Sequence, residues 1–297
     1  MILNQFTNNT AIIGVFLTGK SLDAALVINS KIEKRFSKKI DTTASEESVL
    51  HEVISAIENV MVKDVMGIGI GVPSLVDVKN GVVYKVRSIP SWREVHLKDI
   101  LEDRFGVQVF VNNDANCFAI GEKYFGKAQK YNDLVGLIID EGLGAGIIFN
   151  GFLYSGANCG AGEFGSIPYR EHDYEYYCSE GYFDEKYGVK ANILLNRAKE
   201  GDKIALAIFE QFGYDLGNVI KTILFAVDPE FLILGGSLSE AFPYFEKAMY
   251  EKVKTFTYKH ALTNFKIAIS EHENIGLLGA AALYFDANNK SFGSING

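Results

Sequence analysis

The chain has 297 residues, 48% apolar and 22% charged, a globular balance that can fill two ordinary cores and excludes a largely disordered protein. Its net charge of −8 shows no basic stripe, which argues against a nucleic-acid partner, and no run of about 18 apolar residues is present to span a membrane. Met1 to Thr10 has neither a basic n-region nor an apolar h-region, and Cys117, Cys159 and Cys178 lack a paired spacing, so a cytoplasmic location with free thiols is expected.

Apolar runs at Thr10 to Leu17 and Leu22 to Ile28, separated by Thr18-Gly19-Lys20-Ser21, predict hairpin strands, and Glu33 to Lys39 a third. From Ser45 to Met61, Val49, Val53, Ile57 and Val60 fall at helical spacing, with Ser45 or Thr43 as N-cap. Val65 to Val72 reads as a buried strand and Leu97 to Phe105 as a helix. The alternating run from Val107 then leads into Asn112-Asn113-Asp114 and a helix over Ala115 to Phe125. Leu134 to Asp140 and Ala145 to Phe149 predict a second hairpin around Gly142-Leu143-Gly144. Helices at Ala191 to Glu200, Lys203 to Val227, Pro243 to Thr255 and Ile275 to Phe285, with strands at Phe231 to Leu234 and Lys266 to Ile269, complete an α/β chain.

Asp114 stands where a strand gives way to a helix, and such a place holds a carboxylate rigidly at the rim of a crevice, the usual presentation of a catalytic base in an open α/β sheet. Asn and Asp are also the commonest helix N-caps, so the same residues serve a structural reading. Trp92, the single tryptophan, reads equally as core or as a wall of a ligand site.

The order and spacing of Gly71-Val72-Pro73-Ser74-Leu75-Val76-Asp77, Asn113-Asp114-Ala115-Asn116, Gly142-Leu143-Gly144, Ala161-Gly162-Glu163-Phe164-Gly165 and Leu234-Gly235-Gly236-Ser237 resemble the ROK family of bacterial glucokinases, other sugar kinases and sugar-responsive repressors. The resemblance covers nearly the whole chain. It implies a two-lobed actin/Hsp70/hexokinase-like (ribonuclease H-like) fold with a central cleft, with residues 1–114 and a returning helix 275–288 as one lobe and 115–274 as the other. It also implies a homodimer that binds a small-molecule sugar, ATP and Mg²⁺. Asp114 then matches the catalytic base and Asn113 and Glu163 match sugar contacts, while Ser166 replaces a further sugar contact and Asp184 or Glu185 stands where relatives place a second sugar-contacting Glu. Gly19, Gly142, Gly144, Gly235 and Gly236 match the nucleotide loops. Phosphoryl transfer suits this set, since it needs a base for the hydroxyl proton and backbone N–H groups and a cation for the phosphates.

Three departures bear on function. Relatives open with Asp-x-Gly-Gly-Thr-Lys, but here Phe16 replaces the Asp that handles metal-bound water and Thr18 a glycine. Losing a charged contact of that kind costs a rate factor on the order of a thousandfold. Asp140 and Glu141 introduce two acids into the second phosphate loop, where a cation would have to offset their repulsion; Asp140 is a candidate to orient Mg²⁺. Ser166 stands for a zinc-binding His and only Cys178 survives of the zinc cysteines, so no zinc site is expected, and Tyr174, Tyr176, Tyr177, Tyr182 and Phe183 are expected to pack that loop instead. A strand starting at Thr10 leaves little room for a preceding helix-turn-helix, which disfavours a repressor. Two readings remain open: a hexose or hexosamine kinase, and a sugar-binding pseudokinase of the same fold.

Overall fold

A computed structural model describes residues 10–293. It divides into two compact units. Unit 1 holds the chain up to Lys130, Gly146–Ala161 and the chain from His272 on; unit 2 holds Tyr131–Ala145 and Gly162–Glu271.

Unit 1 begins with the antiparallel strands β1 (Ala11–Leu17), β2 (Ser21–Ile28) and β3 (Lys31–Lys39), followed by α1 (Glu46–Val60). Ser45 caps α1 by accepting from the Ser48 N–H, and Val49, Val53, Ala56, Ile57 and Val60 form its buried stripe. Next come β4 (Val65–Val72), the short strands β5 (Leu75–Asp77), β6 (Val82–Tyr84) and β7 (Glu94–Val95), α2 (Leu97–Phe105), β8 (Gln108–Asn113) and α3 (Asp114–Tyr124). The main sheet runs β3-β2-β1-β4-β8, with β4 parallel to both β1 and β8. Exposed Lys31, Lys34, Arg35 and Lys39 line the edge strand β3, a placement that discourages edge-to-edge pairing. Trp92 is 0% exposed, beside Val83, Ile89 and Val95 in the core, which settles it as a packing residue.

The chain then forms β9 (Leu134–Ile139), β10 (Leu143–Phe149) and β11 (Phe152–Tyr154). In unit 2 follow the hairpin β12 (Pro168–Tyr169) and β13 (His172–Asp173), then α4 (Tyr174–Tyr177), α5 (Glu180–Tyr187), α6 (Ala191–Lys199) and the 25-residue α7 (Lys203–Val227). β14 (Phe231–Gly235), α8 (Phe242–Val253), α9 (Ala261–Asn264) and β15 (Lys266–Ile269) complete that unit, with β14 parallel to β9 on one side and β15 on the other. The final helix α10 (Ile275–Gly293) belongs to unit 1 and packs on β1, β4 and α3.

Close backbone approach explains that last assignment. A Cβ added at Gly69 of β4 would lie 1.8 Å from the Ala280 carbonyl oxygen, and one at Gly279 of α10 would lie 1.7 Å from the Cys117 carbonyl oxygen. Only glycine lets α10 settle between the sheet and α3. By contact, α3 is bound to α10 and groups with unit 1, as does the segment Gly146–Ala161. No helix among the described residues is long and apolar enough to cross a membrane.

Candidate functional site

In unit 1 the polar cluster sits where β8 ends and α3 starts. Asn113 is the N-cap, its Oδ1 accepting from the Asn116 N–H at 2.7 Å. Asn112 Oδ1 accepts from the Asn113 N–H at 2.9 Å and from Asn116 Nδ2 at 2.8 Å. Asp114, half-buried as the first helical residue, accepts from the Ala115 N–H at 2.8 Å. The capping reading thus holds for Asn113, whose oxygen is committed to the helix. Asp114 sets a carboxylate at the positive end of α3, where a negative charge is favoured.

Two features of unit 1 bear on the turn expected from the sequence to meet a phosphate. Phe16 lies opposite Asp23 on β2 and Gly71 on β4, and its ring fills the space that side chains at two glycines would take. A Cβ at Gly71 would come within 2.7 Å of the ring, and one at Gly276 within 2.6 Å. In the turn containing Gly19, the Thr18 hydroxyl accepts from the Lys20 N–H at 3.1 Å and the Ser21 N–H at 2.9 Å. Two donors that a glycine would leave available to an anion are thereby taken up.

Unit 2 gathers two further groups. Asp140 follows β9 and closes a tight turn, its N–H donating to the Gly142 carbonyl at 3.0 Å. Its Oδ1 accepts from the Ser237 N–H at 2.8 Å, its carbonyl accepts from the Glu180 N–H at 2.9 Å, and the Ser237 hydroxyl donates to Glu180. Gly235 ends β14 in register with Ile138. Gly236 adopts a φ of 88°, with room for no Cβ beside the Ile139 carbonyl, so glycine is required there. Asp140, Glu180 and the Gly235-Gly236-Ser237 turn therefore form one cluster.

The second group joins the Gly142 turn to the segment after Gly162. Glu175 Oε2 accepts from the Leu143 N–H at 3.1 Å, and a Cβ at Gly142 would meet that same oxygen at 2.8 Å. A Cβ at Gly165 would lie 2.5 Å from the Leu143 carbonyl oxygen. Glu163 immediately precedes the 3₁₀ turn Phe164–Ser166, and the Ser166 N–H donates to the Glu163 carbonyl at 3.3 Å. Leu143 and Gly144 open β10, so the turn expected at Gly142-Leu143-Gly144 is confined to the residues before Leu143.

Asp184 is exposed on α5, a turn beyond Glu180, while Glu180 is the α5 carboxylate that touches the Asp140 and Ser237 loops. Sequence reasoning missed both Glu175 and Glu180. Acidic residues in the first turns of α4 and α5, each after a capping position at Asp173 or Ser179, were the local signal.

The Glu163 side chain reaches the surface but is crowded by its neighbours. Burial first, and the negative charge of Glu175 second, raise its carboxyl above the ordinary value. The folded chain then holds that proton more tightly than the unfolded chain, so ionised Glu163 costs stability above its raised pKa. That cost disappears as the pH falls below the ordinary carboxylate range. Glu163→Gln is accordingly expected to melt at a higher temperature than the native chain near pH 7, with the gap closing by about pH 4. Melting curves at the two pH values check this, and an equal gap at both would contradict it.

Among known proteins, the chain is 27% identical to the glucokinase of Thermotoga maritima over 92% of its length and 96% of that protein's. It is 29% identical to the xylose repressor of Bacillus subtilis over 74% of this chain and 61% of the repressor. Among solved structures, a ROK family glucokinase from Streptomyces griseus in complex with glucose and AMPPNP superposes with a TM-score of 0.77 at 25% identity, covering 92% of this chain and 98% of that one. The actin/hexokinase-like fold expected from the motifs is therefore the fold of this chain. The ROK family model matches residues 12–287, and the chain belongs to the ROK family.

Proposed function

We propose that the chain is an ATP-dependent sugar kinase that transfers the γ-phosphoryl group to a hydroxyl of a hexose or hexosamine. The observation that carries this reading is the half-buried Asp114 carboxylate at the start of α3, held by the Ala115 N–H behind a network of three asparagines. A base fixed in this way takes the hydroxyl proton as the oxygen attacks phosphorus. With its Oδ1 on the helix cap, Asn113 addresses a sugar through its amide N–H, so it selects an accepting oxygen. Glu163 accepts from ring hydroxyls, with Ser166 as a neutral neighbour. Gly142, Gly144, Gly235 and Gly236 serve the nucleotide, the Gly142 turn less freely because Glu175 holds the Leu143 N–H, and Gly19 less because Thr18 occupies its turn.

Mg²⁺ supplies charge neutralisation on the phosphates and needs only one or two protein carboxylates when phosphates complete its shell. Asp140 and Glu180, both hydrogen-bonded to Ser237, fit that requirement, although among the described residues no group of three or more His, Cys, Asp or Glu forms a cage.

A second reading, sugar binding without turnover, is favoured by the Phe16 ring over Gly71 and Gly276 and by Glu175 on the Leu143 N–H. The experiment is Mg²⁺-dependent ADP release from ATP with pooled hexoses and amino-hexoses, paired with calorimetric sugar binding. Turnover supports the kinase; binding without turnover supports the second reading; neither overturns both.

In either case the Glu175 carboxylate competes with a phosphate for the Gly142 turn. Glu175→Gln keeps an acceptor for the Leu143 N–H but removes the charge, and is expected to tighten Mg²⁺–ATP binding about tenfold, ~1.4 kcal/mol. Calorimetric titration reads this directly, and an unchanged Kd would remove Glu175 from the account.

A further inference from the structure

Asp215, on the inner face of α7, is 0% exposed. A carboxylate in that position is costly unless its lone pairs are engaged. Its Oδ1 accepts from the Tyr169 hydroxyl at 2.9 Å and from Arg170 Nη2 at 2.6 Å, and its Oδ2 accepts from Gln211 Nε2 at 3.0 Å. The Tyr169 oxygen in turn accepts from Asn218 Nδ2 at 3.0 Å. Both Tyr169 and Arg170 belong to the β12–β13 turn, which begins just after Ser166.

Aromatic packing locks the same turn. The Arg170 guanidinium lies over the rings of Tyr169 and Tyr177, at 4.9 and 5.2 Å from their centroids. Tyr169 stacks on Tyr174 at 4.6 Å, and the Tyr174 hydroxyl is 2.9 Å from Thr222 Oγ1 on α7. The sequence expectation that tyrosines pack this loop is met, but their centre is a charge pair whose carboxylate comes from 45 residues away.

The segment anchored in this way carries Glu163 at one end and Glu175 at the other, and Glu175 holds the Gly142 turn through the Leu143 N–H. We propose that Asp215 is a positioning residue for the candidate site: with Arg170 and Tyr169 it clamps residues 163–178 to α7, and so fixes Glu163 and Glu175 together. The clamp consists wholly of protein groups, and its effect on sugar binding rests on the reading of Glu163 as a sugar contact.

The consequence is a coupling between two loops through one buried carboxylate. Asp215→Asn keeps the volume but places an amide against donors that need an acceptor. Arg170→Lys keeps the charge while losing the planar fork and the ring stacking. Arg170 is partly exposed, so the second variant reads the clamp even if the first fails to fold.

The test is hydrogen–deuterium exchange of backbone amides over 163–178 in the native chain and both variants, together with calorimetric glucose and Mg²⁺–ATP binding. Faster exchange confined to 163–178 and to the Gly142 turn is expected, with sugar Kd weakened about tenfold to a hundredfold for Asp215→Asn and less for Arg170→Lys. Unchanged exchange in that segment, or acceleration spread evenly over α7 and β14, would overturn the clamp. If the native chain binds no sugar while the exchange pattern appears as described, the role of Glu163 falls and the clamp stands.

Discussion

Asp114→Asn is expected to lower Mg²⁺-dependent ADP release about 10²–10⁴-fold while leaving sugar affinity within about threefold. The amide keeps the shape of the carboxylate and an oxygen for the Ala115 N–H, so α3 and the asparagine network are preserved. What it loses is the capacity to accept a proton, which matters only as the sugar hydroxyl becomes nucleophilic. Loss from kcat with KM retained is the signature of a group used in the transition state. If turnover in the variant matched the native chain, the base would lie elsewhere; if it fell with a parallel loss of sugar binding, Asp114 would be a binding residue. The assay also separates Asp114 from Asn113, since Asn113→Ala removes a helix cap and should reduce thermal stability by about 1 kcal/mol.

Gly279→Ala is expected to destabilise the fold by about 3 kcal/mol or more, a large loss for a single added methyl group. A Cβ at that position falls 1.7 Å from the Cys117 carbonyl oxygen and 2.9 Å from the Gly121 nitrogen, both backbone atoms of α3. Moving α10 away from α3 drives it into the sheet, where Gly69 already leaves no room before the Ala280 carbonyl and Gly14 none before that of Leu277. Alanine favours a helix over glycine by about 1 kcal/mol, which the overpacking exceeds. A drop in Tm on the order of 10 °C follows for a unit of this size. Gly160→Ala, where an added Cβ meets nothing within 4 Å, is the control and should shift Tm by less than about 2 °C. A Gly279→Ala melt that coincides with the control would show that α10 has room to move.

These two sites differ in how they could be read from residues alone. Asp114 was legible because a strand of alternating apolar residues running into Asn-Asn-Asp is a local pattern, and its match to a family motif raised it above a cap. Gly279 was not, because the reason for glycine there is a carbonyl on α3, far away along the chain.

The same division runs through the molecule. The extents of α1, α6, α7 and the main strands follow from periodicity and caps such as Ser45, which act within a few residues and so are written locally. The α/β class followed at that level too, while the resemblance of the motifs pointed to the family and to Asp114 and Glu163 as candidate site residues. Folding alone grouped α3 with unit 1, buried Trp92, set Glu180 beside Asp140 and Ser237, and laid Glu175 on the Leu143 N–H. The hydrogen bonds responsible join residues 57, 32 and 97 positions apart, for Ser237–Glu180, Leu143–Glu175 and Ser237–Asp140. No propensity or periodicity acts over such separations, so those partners exist only once the strands and helices have packed.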